Sequence, residues 1–296
     1  MFATKTFDSS RALAFLHIPK TSGVAINDGL KNSTLFATQH YGFDRVIFGG
    51  FERFDTFAPE LRAVLEATPA SDVALVAGHY SFDTLKRAHP RAQFVTFLRE
   101  PVARLISHWT YWRRMGEPDL AWLGDFKPRQ RVAWEPLRRI VSDPSVACQF
   151  DNVATRMLLW PDRLIPGDGF IAPADDDELA AKALSVLARF HYVDVVESPN
   201  MRDDFASWLG CHFQHRHLNE TGVMPPERRT SLADELSADV CALIEARSRL
   251  DRRLWKEVCK SRNPQSDPTM IGMASMASAI AKHSLLLGES DARRSP

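Results

Sequence analysis

The chain has 296 residues, 45% of them hydrophobic, enough to bury a sizeable core in one large domain or two modest ones. Its 37 basic residues balance 37 acidic ones. That balance excludes a global field drawing the protein to nucleic acid or an anionic membrane, so any anion recognition has to be local. Cys148, Cys211, Cys241 and Cys259 are far apart and form no CxxC pair, which predicts buried thiols instead of a disulfide framework or a zinc ribbon. The N-terminus lacks the basic start and apolar core of a signal peptide, and no apolar run approaches the ~20 residues that span a bilayer. The expected compartment is the cytoplasm.

The first element is a short buried strand over residues 11–18. It runs into Pro19-Lys20-Thr21-Ser22-Gly23, and a helix is expected over 24–31. Such a junction suits an anion, because the first N–H groups of a helix lack internal partners and the helix dipole favours negative charge there. A Walker A loop would place its glycines before the lysine, whereas here the lysine comes first and Gly23 follows. The shape fits one compact oxyanion centre held by Lys20, Thr21, Ser22 and nearby N–H groups. The plainer alternative is an ordinary turn with Ser22 as N-cap.

Further apolar runs follow at 71–80, ending in Gly78-His79, at 92–101, and at 191–199. The run over 92–101 leads into a helix whose first turn accommodates Pro101. Arg99 then sits at a strand end and Ser107 about two turns into the helix, an arrangement that can hold a second phosphate. Residues 115–189 read as largely helical, a covering layer with no strong strand signal. Within it Asn152, Thr155 and Arg156 share one helical face, to line a pocket or to form a polar surface. "WTYWRRMGEP" (109–118) and "KPRQRVAWEPLRR" (127–139) mix aromatics with arginines, suiting a glycan groove or helix packing with a solvated basic face. They suit nucleic acid only weakly, since acidic residues are interspersed. His212, His215 and His217 lie close together, but alternation splits them between two faces and a polar loop is the expectation. Residues 231–260 predict helix, broken near Arg249–Asp251. Strands separated by helix-length segments imply an α/β fold: a P-loop-like parallel sheet flanked by helices, with a largely helical covering layer. The domain spans 1–262. The tail, 263–296, is either disordered or one docked helix with Met270, Met273, Met276 and Ile280 as a packing stripe.

The stretch "FLHIPKTSG" (15–23) resembles the 5′-phosphosulfate loop, and "FLREPVARLISHW" (97–109) the 3′-phosphate motif, of sulfotransferases that use 3′-phosphoadenosine 5′-phosphosulfate (PAPS). The likeness is to the carbohydrate-type branch, which includes the heparan and dermatan sulfate 2-O-sulfotransferases. Weaker similarity extends through "AGHYSFDTL" (77–85), "FDNVATRML" (150–158) and "RHLNET" (216–221), so it covers roughly residues 11–260 and is dense up to about 115. The chain departs from the pattern at His17, where relatives carry arginine, and at Trp109, where a tyrosine is common. The resemblance implies that Lys20, Thr21, Ser22, Gly23, Arg99 and Ser107 bind PAPS, with Lys20 also stabilising the leaving oxygen. It implies His79 as the general base, a carbohydrate, glycolipid or small-molecule hydroxyl as acceptor, 3′-phosphoadenosine 5′-phosphate (PAP) as product, and no metal. Two other readings stay open: a kinase-like phosphotransferase using ATP with Mg²⁺, and a non-catalytic PAP-binding module.

Overall fold

The computed structural model describes residues 2–67, 69, 72–211 and 223–287. Five parallel strands form the sheet: β1 (Leu13–Leu16), β2 (Gln39–Phe43), β3 (Leu75–His79), β4 (Gln93–Leu98) and β5 (Tyr192–Val195). Their order is β2-β3-β1-β4-β5, with Leu13 opposite both Leu75 and Gln93 and Val95 opposite Tyr192. From β1 the chain goes out to the edge strand β2, returns to place β3 between β2 and β1, and then crosses to the other side for β4 and β5. The strand order reverses at β1 and β4, and the crevice beyond their carboxyl ends is where ligands collect in such sheets.

Alternation within strands supplies two cores. Ala14 and Leu16 face a layer containing Val76, Phe94, Leu98, Phe190 and Trp255. Leu13 and Phe15 face the other side, with Ile26, Leu30, Phe97 and Phe205. Helix α1 (Gly23–Lys31) follows β1, α2 (Pro59–Glu66) precedes β3, α3 (Phe82–Ala88) follows β3, and α4 (Pro101–Arg114) follows β4. A third cluster lies under α4 and includes Phe48, Phe57, Trp109, Phe126 and Leu137. Short helical turns between Glu117 and Phe150 build this covering layer, as the composition of that region implies.

The α/β fold and the parallel sheet match the sequence expectation, but three elements do not. Edge strand β2, "QHYGF", lies outside the expectation because it is polar, glycine-containing and has only one buried residue, so it lacks an apolar run. The helix expected to break near Arg249–Asp251 runs unbroken from Ala238 to Arg262. At that point Asn152 Oδ1 accepts from the N–H groups of Leu250 (2.8 Å) and Asp251 (3.3 Å), and its own N–H donates to the Arg247 carbonyl. Outside groups thus enter the backbone ladder where the sequence signals an interruption, and the helix continues. The third correction concerns the methionine stripe. Pro268–Leu286 forms a C-terminal helix packed chiefly on α4, yet its buried face is Ser275, Ala279, His283 and Leu286. Met270 and Met273 are more than 60% exposed, Ile280 is also exposed, and only Met276 of the four reaches a core cluster. Small residues permit the close approach to α4, and three hydrogen bonds hold the helix in place, one of them to α4. His283 stacks on Trp109 with ring centroids 5.4 Å apart and hydrogen-bonds Thr110 Oγ1 and the Thr230 carbonyl, while Ser275 donates to Glu197.

Cys148 and Cys259 are buried, Cys211 is half-buried and Cys241 is exposed, and all four are free thiols. Among the described residues no helix is long and apolar enough to cross a membrane.

Candidate functional site

The turn after β1 is held in an uncommon conformation. Lys20 and Ser22 both have positive φ, 69° and 60°, although neither is glycine. Left-handed geometry is unfavourable for such residues, and sites of this kind concentrate where a chain is shaped for a ligand. The Thr21 hydroxyl, fully buried, donates to the Ile18 carbonyl at 2.9 Å and braces the turn. Ser22 occupies the N-cap position of α1 but makes no capping hydrogen bond, so the ordinary-cap alternative does not describe its hydroxyl. Gly23 is required by packing: a Cβ there would lie 1.9 Å from Nε2 of His17, whose ring slides beneath the helix start.

Beside this turn lies a cavity of about 310 Å³. Its wall includes Lys20, Ser22 and Gly23 from the turn, His79 from β3, and Arg99 and Ser107 from β4 and α4. Six of the seven residues singled out in the sequence therefore meet at one place, and Thr21 supports them from behind. Arg99 also ties the two motifs together by donating to the Lys20 carbonyl at 3.3 Å. Asn152, Thr155 and Arg156 do not line the cavity. They form a buried network: Thr155 donates to Asp251, and Arg156 pairs with Asp151 at 2.8 Å. The histidines 212, 215 and 217 lie outside the described residues, and among those described no group of His, Cys, Asp or Glu is placed to hold a metal.

Four further wall residues were given no donor-site role in the sequence, although Tyr111 and Arg114 fall in the stretch read as a glycan groove or helix packing. Tyr111 and Arg114 come from the last turns of α4, His108 from its middle, and Lys282 from the C-terminal helix. Helix spacing could have found the first three, since 107, 108, 111 and 114 share one face of α4. Nothing local could have found Lys282. The cavity thus carries four cations, Lys20, Arg99, Arg114 and Lys282, and no carboxylate among its described wall residues. None of the four makes an ion pair among the described residues. Lys20 Nζ rests 4.4 Å from the Tyr111 ring centroid. Burial, reinforced by Lys282, Arg99 and Arg114, lowers its pKa to about 8. A bound anion would relieve that repulsion.

The histidines have defined tautomers. His79 Nδ1 lies 2.6 Å from the His17 carbonyl oxygen, so Nδ1 carries the proton and donates, which leaves the Nε2 lone pair free. Burial pushes the His79 pKa down, partly offset by that hydrogen bond, so the ring is neutral near pH 7 and able to accept a proton. Gly78, just before it, has φ 148°, and a Cβ there would strike the Gly42 carbonyl oxygen of β2 at 1.8 Å. Glycine therefore lets the two strands close up and delivers His79 to the cavity edge. The His17 ring lies 4.4 Å from that of His79, tilted by 38°, and Nδ1 of His17 contacts Tyr41 Oη at 3.2 Å. His17 lines the cavity but, being pushed well below the usual histidine range by burial, brings no positive charge there.

A larger depression of about 510 Å³ lies elsewhere and is lined by acids as well as bases, including Asp44, Glu66, Arg45 and Arg87, so it has no preference for an anion. Set against models of known protein families and against curated proteins, the chain matches none.

Proposed function

We propose that the protein is a PAPS-dependent O-sulfotransferase. In this reading it moves a sulfuryl group to the hydroxyl of a carbohydrate, glycolipid or small-molecule acceptor and releases PAP, in a cytoplasmic setting. The observation that carries the reading is the cavity at the strand-order reversal, walled by four cations that form no ion pair among the described residues and edged by a neutral histidine. The donor set fits a nucleotide with two separated anionic groups. Lys20, the Ser22 hydroxyl and the start of α1 would hold the phosphosulfate end, and Arg99 with Ser107 the 3′-phosphate.

Sulfuryl transfer has needs like those of phosphoryl transfer: an in-line nucleophile, stabilised charge on the leaving oxygen and excluded water. His79 Nε2 would take the proton of the attacking hydroxyl. Lys20 and the N–H groups of α1 would oppose the negative charge that develops on the departing phosphate oxygen. Phosphoryl transfer from Mg²⁺-bound ATP is less well served, because no carboxylate stands in the described wall to help hold the metal.

Calorimetric titration of PAP into the wild-type protein, Lys20→Ala and His79→Ala, with ATP plus Mg²⁺ as competitor, tests this. PAP should bind the wild type, ATP should not displace it, Lys20→Ala should lose binding, and His79→Ala should keep it while losing turnover of PAPS. Preference for ATP with Mg²⁺ would replace the reading with a phosphotransferase. PAP binding with no turnover of PAPS on any acceptor tried would favour a binding module.

A further inference from the structure

A second cavity, of about 170 Å³, adjoins the cationic one and shares Pro19, His79, His108 and Tyr111 with it. Its remaining wall is built largely from Phe43, Phe48, Trp112, Met115, Leu123 and Phe126, and no charged side chain among the described residues lines it. Three of the polar side chains in the wall are already engaged within the protein. Gln149 donates to the Ile47 carbonyl while its Oε1 lies 3.0 Å from His108 Nε2. Gln130 donates to Met115 Sδ, and Trp122 donates to the Asp119 carbonyl. Because the Gln149 amide nitrogen faces a carbonyl, its Oε1 is the acceptor and His108 carries its proton on Nε2. That leaves His108 Nδ1 as a buried lone pair without a partner in the wall common to both cavities.

A sugar ring would bring several hydroxyls into this chamber and find almost nothing to bond them, and a uronate or sulfated glycan would find no cation. An apolar ring would lose water on both faces and meet aromatic side chains. The size is also telling, since a dry protein cavity of about 150 Å³ accommodates a benzene molecule. We propose that this chamber is the acceptor site and that the acceptor is a small aromatic or alicyclic alcohol or phenol, its ring in the chamber and its hydroxyl at His79.

The inference rests on the sulfotransferase reading. The acceptor oxygen forms a bond to the sulfur of PAPS, and the bond from that sulfur to the bridging phosphate oxygen breaks. The electron pair stays on the phosphate, the hydroxyl proton moves to His79 Nε2, and the products are a sulfate ester and PAP.

The probe is 2-naphthol, titrated into the PAP-loaded protein by calorimetry and assayed with labelled PAPS beside benzyl alcohol and a panel of desulfated glycans. 2-Naphthol should bind and be sulfated, and the glycans should not. Met115→Trp, which fills the chamber, should weaken 2-naphthol at least tenfold while PAP affinity changes less than twofold. Trp122→Ala, at an exposed position where folding is not at stake, should weaken it several-fold. Tight PAP binding together with sulfation of a glycan and no binding of 2-naphthol would overturn the acceptor assignment and leave the donor reading standing. So would 2-naphthol binding that ignores both substitutions. Failure of PAP itself to bind would instead remove the donor reading beneath it.

Discussion

Two regions of this molecule concentrate arginine and lysine, and they treat charge in opposite ways. Around Asp151, Arg156 is almost completely buried and spends its guanidinium on the Asp151 carboxylate and backbone and on the carbonyls of Pro166 and Gly169. At the strand ends, Lys20, Arg99, Arg114 and Lys282 surround open space with no carboxylate among its described wall residues, although Glu197 and Glu100 act on Arg99 from outside that wall. The first arrangement is complete within the protein and holds the fold. The second leaves its charge facing open space, which in the proposed reading an anion would fill. Charge that costs stability and is left unanswered around a cavity is evidence of a ligand in a way that the same residues in a closed network are not.

Substitutions can separate the two regions. Arg156→Ala would take the nearest cation from the buried Asp151 carboxylate and strand the carbonyls that Arg156 serves. Asp151 would keep the longer contacts of Arg247 and Arg249 and the donors of Asn152 and Ile171. The change should cost about 3 kcal/mol of folding stability in a urea titration. PAP affinity measured well below the unfolding transition should change little. An Arg156→Ala protein of wild-type stability would erase the contrast.

Lys20→Gly should do the reverse. It removes a cation but relieves a left-handed backbone, so stability should rise by about 1 kcal/mol. PAP binding should weaken by ~10–150-fold, the equivalent of one charge-assisted hydrogen bond. Loss of stability together with binding would mean that Lys20 is part of the frame.

The lowered pKa of Lys20 adds a pH test. Without an anion, Lys20 loses its proton as pH rises through about 8, whereas a bound phosphate favours the charged form. PAP affinity should therefore be level between pH 6.5 and 7.5, fall above 8, and be roughly tenfold weaker by pH 9.5. Lys20→Gly should flatten that alkaline limb.

The smallest effect is expected at Lys282. Its side chain is exposed, so solvent screens its contribution, and Lys282→Ala should weaken PAP by about 3–10-fold with the loss shrinking in high salt. An unchanged affinity would return the C-terminal helix to a purely structural role.

How much could be read in advance follows the distance over which each feature is decided. The turn at Pro19–Gly23, the helix opening at Pro101 and the placement of Gly78-His79 after an apolar run are encoded within a few residues, and all were legible. The edge strand β2 was not, because a half-exposed strand is defined by its neighbour β3 and not by an apolar run of its own. The continuity of Ala238–Arg262 depends on Asn152, almost a hundred residues earlier. The methionines of the C-terminal helix misled because their spacing is helical, while the face that docks was chosen by the fit of Ser275 and Ala279 to α4.

The sequence alone determined an α/β chain with a Pro-Lys-Thr-Ser-Gly turn after one strand and an arginine after another, since short-range backbone geometry and hydrophobic patterning decide those features. Only the tertiary structure brought Lys282 from the C-terminal helix to the cations of the loop, set the His79 and His108 tautomers, and opened an apolar chamber beside them. Each of these depends on contacts between segments far apart in the chain, where the identity of the partner is decided by packing and not by any local pattern.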